Sequence, residues 1–490
     1  MPRDAVAATV VHAHVMARAG ASGRRRIESA LRALFAVALL LVAGGCASRL
    51  PAAAPYTHGQ ISIEGMRSDL NYLVARVNAD EAHFSGARRA AFVQRAKRLS
   101  ASLDHPMSHR RFFVGIARLI ASIGGGHNTA ELTYQVVGKV KAVLPLELRV
   151  IEGRVYVKNM LDGTAIPRGA ELLAVNGVPV AQILRTLERY TSYDVRSAHQ
   201  AQTAELMPWF IPLVYGWQGP FHVQYLPYGA TAPAHVTVNG ATIREVKQWN
   251  HQRDSQGQAP WSFSLLADGR VGYMDFRAME GNVAAYHRFL HAMFAKLQAK
   301  RVTALIVDLR QNGGGDSQFG DALLSYIAVR PWLDASSMRL ELWQGGPRVT
   351  VPGWAMWSRP NTSPLHYRGH VIFLVGPGTF SSAVMLAAPV KDYHLGTLIG
   401  EETGGAPTDV GEVKTLTLPA SGIVVALATK RFVGPDPYID GTHGVLPDFV
   451  VEDTPADLAT IKDEPLSFAI RYALHSSAAP SARVPPERSR

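Results

Sequence analysis

One cysteine, Cys46, occurs in 490 residues. An intramolecular disulfide and any cysteine-based zinc site are therefore excluded, and cysteine pairing says nothing about redox compartment. The histidines are scattered and no His-Glu-x-x-His run occurs, so zinc catalysis has no support. No internal repeat is evident, and no Gly-x-Ser-x-Gly elbow of the esterase type is present. Acidic residues are the scarcer charge, 39 against 50 basic ones, for a formal net charge of +11. Much of that excess sits in Arg24 to Arg26 and in the terminal arms, where targeting or disorder explains it better than nucleic acid.

What is present is globular material. Hydrophobic residues make up 47% and charged residues 18%, enough for a buried sheet with covering helices, and the length calls for two or three packed units. The leader is the first landmark. Arg24 to Arg26 precede an apolar run from Leu34 to Ala43, then Gly44, Gly45 and Cys46. Charge, apolar stretch and small residues in that order make a signal peptide, over residues 1–45, and the run is short of the roughly 20 residues a membrane span needs. The thiol after the small pair resembles a bacterial lipoprotein box, in which Cys46 carries the acyl chains. Ala47 is not the Asp associated with inner-membrane retention, so the resemblance implies an outer-membrane anchor facing the periplasm of a Gram-negative bacterium. Met16 is a plausible start, since the residues before it add nothing to the leader.

After a tether over 46–60, apolar residues at helical spacing (Met66, Leu70, Leu73, Val74, Val77) predict two amphipathic helices by Leu103, and a third runs from Arg110 to Ile123. It stops at Gly124, Gly125 and Gly126, which leaves His127 just past a helix end and closes a helical region at 61–135. Short apolar strands follow at Val143 to Val150 and Arg154 to Val157, then Gly169 to Gly177. The last run, Gly-x-x-Leu-x-x-Val-Asn-Gly, resembles a PDZ domain, over 136–190, which would admit an extended peptide by strand addition; an ordinary Asn-Gly hairpin is the plainer alternative. Residues 191–262 read as a bridge, with a hairpin around Asn239 and Gly240. From 263 to 455 strands and helices alternate (Val271 to Phe276, Val283 to Leu297, Ala304 to Leu309, Phe319 to Ile327, Val371 to Val375), the pattern of an α/β layered core. A C-terminal helix and disordered tail occupy 456–490.

Two strand ends in that core carry chemistry. Val371 to Val375 runs into Gly376, Pro377, Gly378 and Thr379, and then Phe380, Ser381 and Ser382 open a small-residue helix through Ala388. A serine at such a turn is exposed on one side, and the amide of Ser382 could stabilise an oxyanion when Ser381 attacks a carbonyl. A plain N-cap is the alternative for Ser381. Thr303 to Leu309 discharges into Arg310, Gln311, Asn312, Gly313, Gly314 and Gly315, glycines free to present amides such as those of Gly313 and Gly314. No Lys-Ser or Lys-Thr follows them, which favours an oxyanion loop over a phosphate loop.

Four runs in one order, Asp308-Leu-Arg-Gln-Asn-Gly-Gly-Gly315, Gly378-Thr-Phe-Ser-Ser382, Gly400-Glu-Glu-Thr-Gly404 and Gly444-Val-Leu-Pro-Asp448, resemble the C-terminal processing, or tail-specific, protease family. The resemblance covers nearly the whole mature chain. It implies a crotonase-like or ClpP-like layered α/β core, Ser381 as nucleophile and hydrolysis of peptide bonds in proteins or peptides, with no cofactor. In the Ser-Lys branch a lysine stands where this chain has Ala406, so that dyad is excluded. Gly124-Gly-Gly-His-Asn-Thr129 is similar instead to the histidine turn of the tricorn core protease, which implies His127 as general base, a role imidazole suits because it titrates near working pH. The same branch implies an acidic third residue ahead of Gly444, for which Asp440 is the candidate; its register is one residue off. His443 competes with His127 as base, and Lys391, Lys414 and Lys430 read as solvated residues. Two other functions stay open: a catalytically silent peptide- or ligand-binding lipoprotein of the same fold, which Ala406 would suit and His127 argues against, and an acyl hydrolase. Oligomeric state cannot be read from the sequence.

Overall fold

The computed structural model describes residues 60–79, 86–161, 163, 165–254, 259–341, 348–437 and 441–476. Cys46, Asp440, the leader and tether through residue 59 and the tail from residue 477 lie outside the described residues.

The chain opens with α1 (Ile63–Ala79), α2 (Gly86–Ala101) and α3 (His109–Ala121). Their apolar stripes face one another: Met66, Leu70, Leu73 and Val77 of α1 meet Phe92 of α2 and Phe112, Phe113, Ile116 and Ile120 of α3. Ser108 caps α3, its hydroxyl accepting from the Arg111 amide. Past α3 the chain turns through 122–126 and enters the two-residue strand β1 (Thr129–Ala130).

A second sheet follows. It contains β2 (Leu146–Ile151), β3 (Arg154–Met160) and β4 (Glu171–Val175). Asn176 and Gly177 then turn the chain back at φ 51° and 77°, the paired left-handed conformation of a tight hairpin, into Val178 and Pro179 against β4. After α4 (Val180–Leu187) and the long α5 (Arg196–Val214), the strands β5 (Phe221–Leu226) and β6 (Ala234–Val238) join the same sheet, in the order β2-β3-β4-β5-β6. Within residues 191–262, α5, β5 and β6 thus belong to this unit, β5 pairing antiparallel with β4, whereas Trp261 and Ser262 enter the next sheet. The hairpin expected at Asn239 and Gly240 is also absent. β6 pairs with β5 instead, and Thr242 starts a helix, Ile243–Asp254, through reciprocal hydrogen bonds with Glu245. The outer strand β2 packs against α5, whose Ala204, Met207, Phe210 and Ile211 share an apolar cluster with Leu146, Leu148, Ile183 and Leu184.

The third layer system carries the strand-end loops singled out above. Its six strands are β7 (Trp261–Leu266), β8 (Val271–Phe276), β9 (Ala304–Asp308), β11 (His370–Val375), β12 (Thr397–Gly400) and β15 (Phe449–Val450), in the spatial order β15-β12-β11-β9-β8-β7. All neighbours are parallel except β7 with β8. One face is covered by α6 (Val283–Ala299), α7 (Gln318–Ser325) and α8 (Ser382–Asp392), the other by the last helix α9 (Glu464–Ser476) through Ala469 and Ala473. Burial on both faces explains why β9 and β11 read as continuous apolar runs. The layered α/β core is as the sequence implies. Between its elements, β10 (Ser337–Glu341), β13 (Asp409–Thr417) and β14 (Val424–Val433) form a further sheet: β13 lines one edge of β14, while β1 and β10 share the other. Pairing of Thr129 with Ala426 ties the turn after α3 to this sheet.

Candidate active site

Ser381 stands where β11 ends and α8 begins, at φ 54° and ψ −126°. A non-glycine residue at positive φ is strained and must be held by its surroundings. Although Ser381 occupies the N-cap position of α8, its side chain makes no capping hydrogen bond. Its Oγ lies 2.9 Å from His127 Nε2.

His127 is positioned by the turn that follows α3. The Asn128 side-chain amide donates to the Gly124 carbonyl at 2.8 Å, and its carbonyl oxygen accepts from the Ala428 amide at 3.0 Å. The Ser192 hydroxyl donates to the Asn128 carbonyl, and the Gly126 amide donates to Asp194. Phe380 stacks obliquely on the imidazole, with ring centroids 4.6 Å apart. A Cβ at Gly126 would come within 2.8 Å of that phenyl ring, so only glycine allows the approach.

The glycine loop after β9 closes on the serine from the other side. A Cβ at Gly314 would lie 2.7 Å from Ser381 Cβ and 2.8 Å from the Ser382 nitrogen. Gly314 differs from expectation in one respect: its own amide donates to Asn312 Oδ1 at 2.9 Å, so it is committed to holding the loop rather than to an oxyanion. Gly313 faces open space beside the strand ends, and the Ser382 hydroxyl donates to the Gly315 carbonyl at 2.6 Å. Thr379 donates to the Leu309 carbonyl at 2.8 Å, joining the two loops.

Behind the imidazole sit two carboxyl groups that the sequence reading did not single out. Asp409, first residue of β13, places Oδ2 3.7 Å from His127 Nδ1, with the imidazole 10% and the carboxyl 20% exposed. Asp194, just before α5, joins them: one donor atom from each of His127, Asp194 and Asp409 lies within 4.8 Å of the others. Among the described residues, neither His127 Nδ1 nor Asp194 Oδ2 has a hydrogen-bond partner, though both are buried. Burial pushes the Asp194 carboxyl well above the usual range, and the neighbouring Asp409 adds to the shift. Burial also raises Asp409. His127 is held below the ordinary histidine value by burial, partly offset by the negative field of Asp194. No sequence motif marks either aspartate.

The remaining candidates sit elsewhere. His443 is 69% exposed and lies 3.5 Å from Glu402, outside the Ser381 contacts. Lys391 pairs with Asp448 at 2.5 Å and Lys430 with Glu412 at 3.5 Å. Ala406 is buried against Val195 and Ala198, so apolar packing fills the place where the Ser-Lys branch has its base.

Comparison with known proteins shows what the core resembles. Residues 270–451 match the model of peptidase family S41. A carboxyl-terminal-processing protease of Synechocystis is 28% identical over 193 residues that make up 39% of this chain and 40% of that one. A tricorn protease homolog of Streptomyces coelicolor is 25% identical over 346 residues, 68% of this chain and 25% of that one. The chain thus spans less than half the length of either relative. Among solved structures, mature CPAF superposes with a TM-score of 0.60 at 16% identity, covering 84% of this chain and 96% of that one, a likeness of fold that extends beyond the S41 core. No helix among the described residues is long and apolar enough to cross a membrane.

Proposed function

We propose that the chain is a serine endopeptidase of the cell envelope that hydrolyses peptide bonds of unstructured proteins or peptides, with Ser381 as nucleophile and His127 as general base. The observation that carries this reading is the 2.9 Å contact between Ser381 Oγ and His127 Nε2, made by a serine whose side chain is released from helix capping. His127 Nε2 accepts the hydroxyl proton as Oγ attacks the scissile carbonyl, then delivers it to the leaving amine. The Ser382 amide at the head of α8 and the Gly313 amide are the donors assigned to the oxyanion. Water then cleaves the acyl-enzyme by the same proton route. The depressed basicity of His127 suits it to stay neutral, and therefore a base, at neutral pH.

Lipidation at Cys46 and an outer-membrane position facing the periplasm belong to the same proposal, on the strength of the leader alone. The test of the activity is cleavage of casein by the full chain beside Ser381→Ala and His127→Ala. Both variants are expected to lose at least about a hundredfold in rate, the lower range for a general base. Wild-type protein that binds but never cleaves would leave a peptide-binding lipoprotein in its place.

A further inference from the structure

Two largely buried carboxyl groups within 4.8 Å of each other and of an imidazole nitrogen constrain their own ionisation. If both were charged, like charges would face each other where water is largely excluded, and neither would have a full set of donors. Asp194 has one, the Gly126 amide on Oδ1, while its Oδ2 is buried and unpartnered among the described residues. Asp409 has the amide of Val410 and the field of Arg431 on β14. Among the described residues, the charged and titratable groups that face the pair are His127 from the turn after α3 and Arg431 from β14, with the Gly126 and Val410 amides as neutral donors. One cation does not neutralise two largely buried carboxylates, which favours a proton staying with the pair.

We propose that Asp194 and Asp409 act as a single positioning group, holding one proton and one negative charge between them, which keeps the Nδ1 proton of His127 pointed toward Asp409 and leaves Nε2 free for Ser381. The inference rests on the Ser381–His127 reading above. The 3.7 Å gap from Nδ1 to Asp409 Oδ2 is short enough for the charge to act through space and for a small rotation of the carboxyl to close a hydrogen bond. The three groups come from three distant parts of the chain, and the Gly126 contact makes Asp194 also the strut of the turn that carries the base. When His127 takes up the serine proton, the pair's negative charge stabilises the imidazolium; no proton leaves the pair. A shared charge also tolerates the loss of either partner, because the remaining carboxyl can ionise once its neighbour is an amide.

That last property makes the proposal testable in the full chain with Asp194→Asn, Asp409→Asn and the double variant. Two quantities are read: kcat/KM on a quenched fluorescent peptide across pH, and the titration of the His127 ring nitrogens by NMR, assigned through their loss in His127→Gln. Each single variant is expected to lose about tenfold in kcat/KM and the double variant about a thousandfold, within the span of general-base catalysis. In the double variant His127 should titrate at lower pH than in wild type, since removing a negative charge disfavours the imidazolium. The proposal is overturned if Asp409→Asn alone is as damaged as the double variant while Asp194→Asn is silent, or if His127 in the double variant titrates as in wild type. It is also overturned if dialysis against EDTA removes a stoichiometric metal ion and shifts the His127 titration, for then the three groups hold a cation. Should wild-type protein prove inactive on every peptide while the double variant still shifts His127, the pair stands and the peptidase reading falls. If the double variant does not fold, the two single variants, read by the same titration against Asp409→Glu, decide between a shared charge and Asp409 acting alone.

Discussion

Ser381 and Gly314 show how the site is constrained atom by atom. Ser381 holds its Oγ toward His127 only because the backbone at φ 54° is braced on both sides, by the Thr379 and Ser382 hydroxyls and by the glycine loop lying against its Cβ. Gly314 is itself at φ 98°, and any side chain there would collide with Ser381 Cβ. Gly314→Ala is therefore expected to lower peptidase activity by about a hundredfold, since small misplacements of reacting groups cost on that order, while circular dichroism stays that of wild type. Retention of full activity by Gly314→Ala would show that the loop does not brace the nucleophile. At this scale the strand–Gly–Ser turn and the Gly-Gly-Gly-His turn are legible in sequence because their chemistry is local. Asp194 and Asp409 are not. Each is an isolated aspartate in an unremarkable context, and their significance arises only when the segment before α5 and the start of β13 converge behind His127.

The same distinction recurs among the elements. β9, β11 and α6 announce themselves by periodicity and apolar content, and their observed bounds fall within two residues of those read from the pattern. α5 does not. It contains Pro208 and Pro212, which argue against a helix, and its polar residues gather in the N-terminal half and its apolar ones in the C-terminal half, so no amphipathic stripe runs along it. Its formation is a tertiary effect: Met207, Phe210 and Ile211 are seated in the core of the second sheet, where burial outweighs the propensity of the sequence. The misread Asn239-Gly240 turn has a related cause, because the Thr242–Glu245 capping box starts a helix where a hairpin strand was expected. Since α5 packs against the outer strand β2, an extended peptide joining β2 would have to contend with it. Met207 is fully buried, and Met207→Ala is expected to destabilise the fold by about 2–5 kcal/mol, read as a lower urea midpoint. A midpoint unchanged within error would mean that α5 is only loosely docked on this sheet.

For the molecule as a whole, the core sheet depends on the last helix among the described residues. α9 covers Val271, Ala304, Ile306, Ile372, Leu374 and Ile399, residues from four different strands, with Ala469 and Ala473 allowing close approach. A guanidinium locks the approach to it: Arg310, two residues past the end of β9, donates to Asp308 and, through both terminal nitrogens, to Asp463 at 2.7 and 2.8 Å, one residue before α9 begins. Arg310 belongs to the same strand-end loop as the glycines that brace Ser381, so docking of α9 and geometry of the site share one anchor. Ending the chain after Asp453 removes the cover and one of the two carboxylates. The exposed face would be a continuous apolar patch, which soluble proteins rarely tolerate. Such a truncation is expected to aggregate on expression, whereas Asp463→Asn, which keeps α9 and weakens only the clamp, should stay soluble with a lower melting temperature. A soluble, active chain ending at Asp453 would overturn this account and would mean that the sheet finds another cover for its second face.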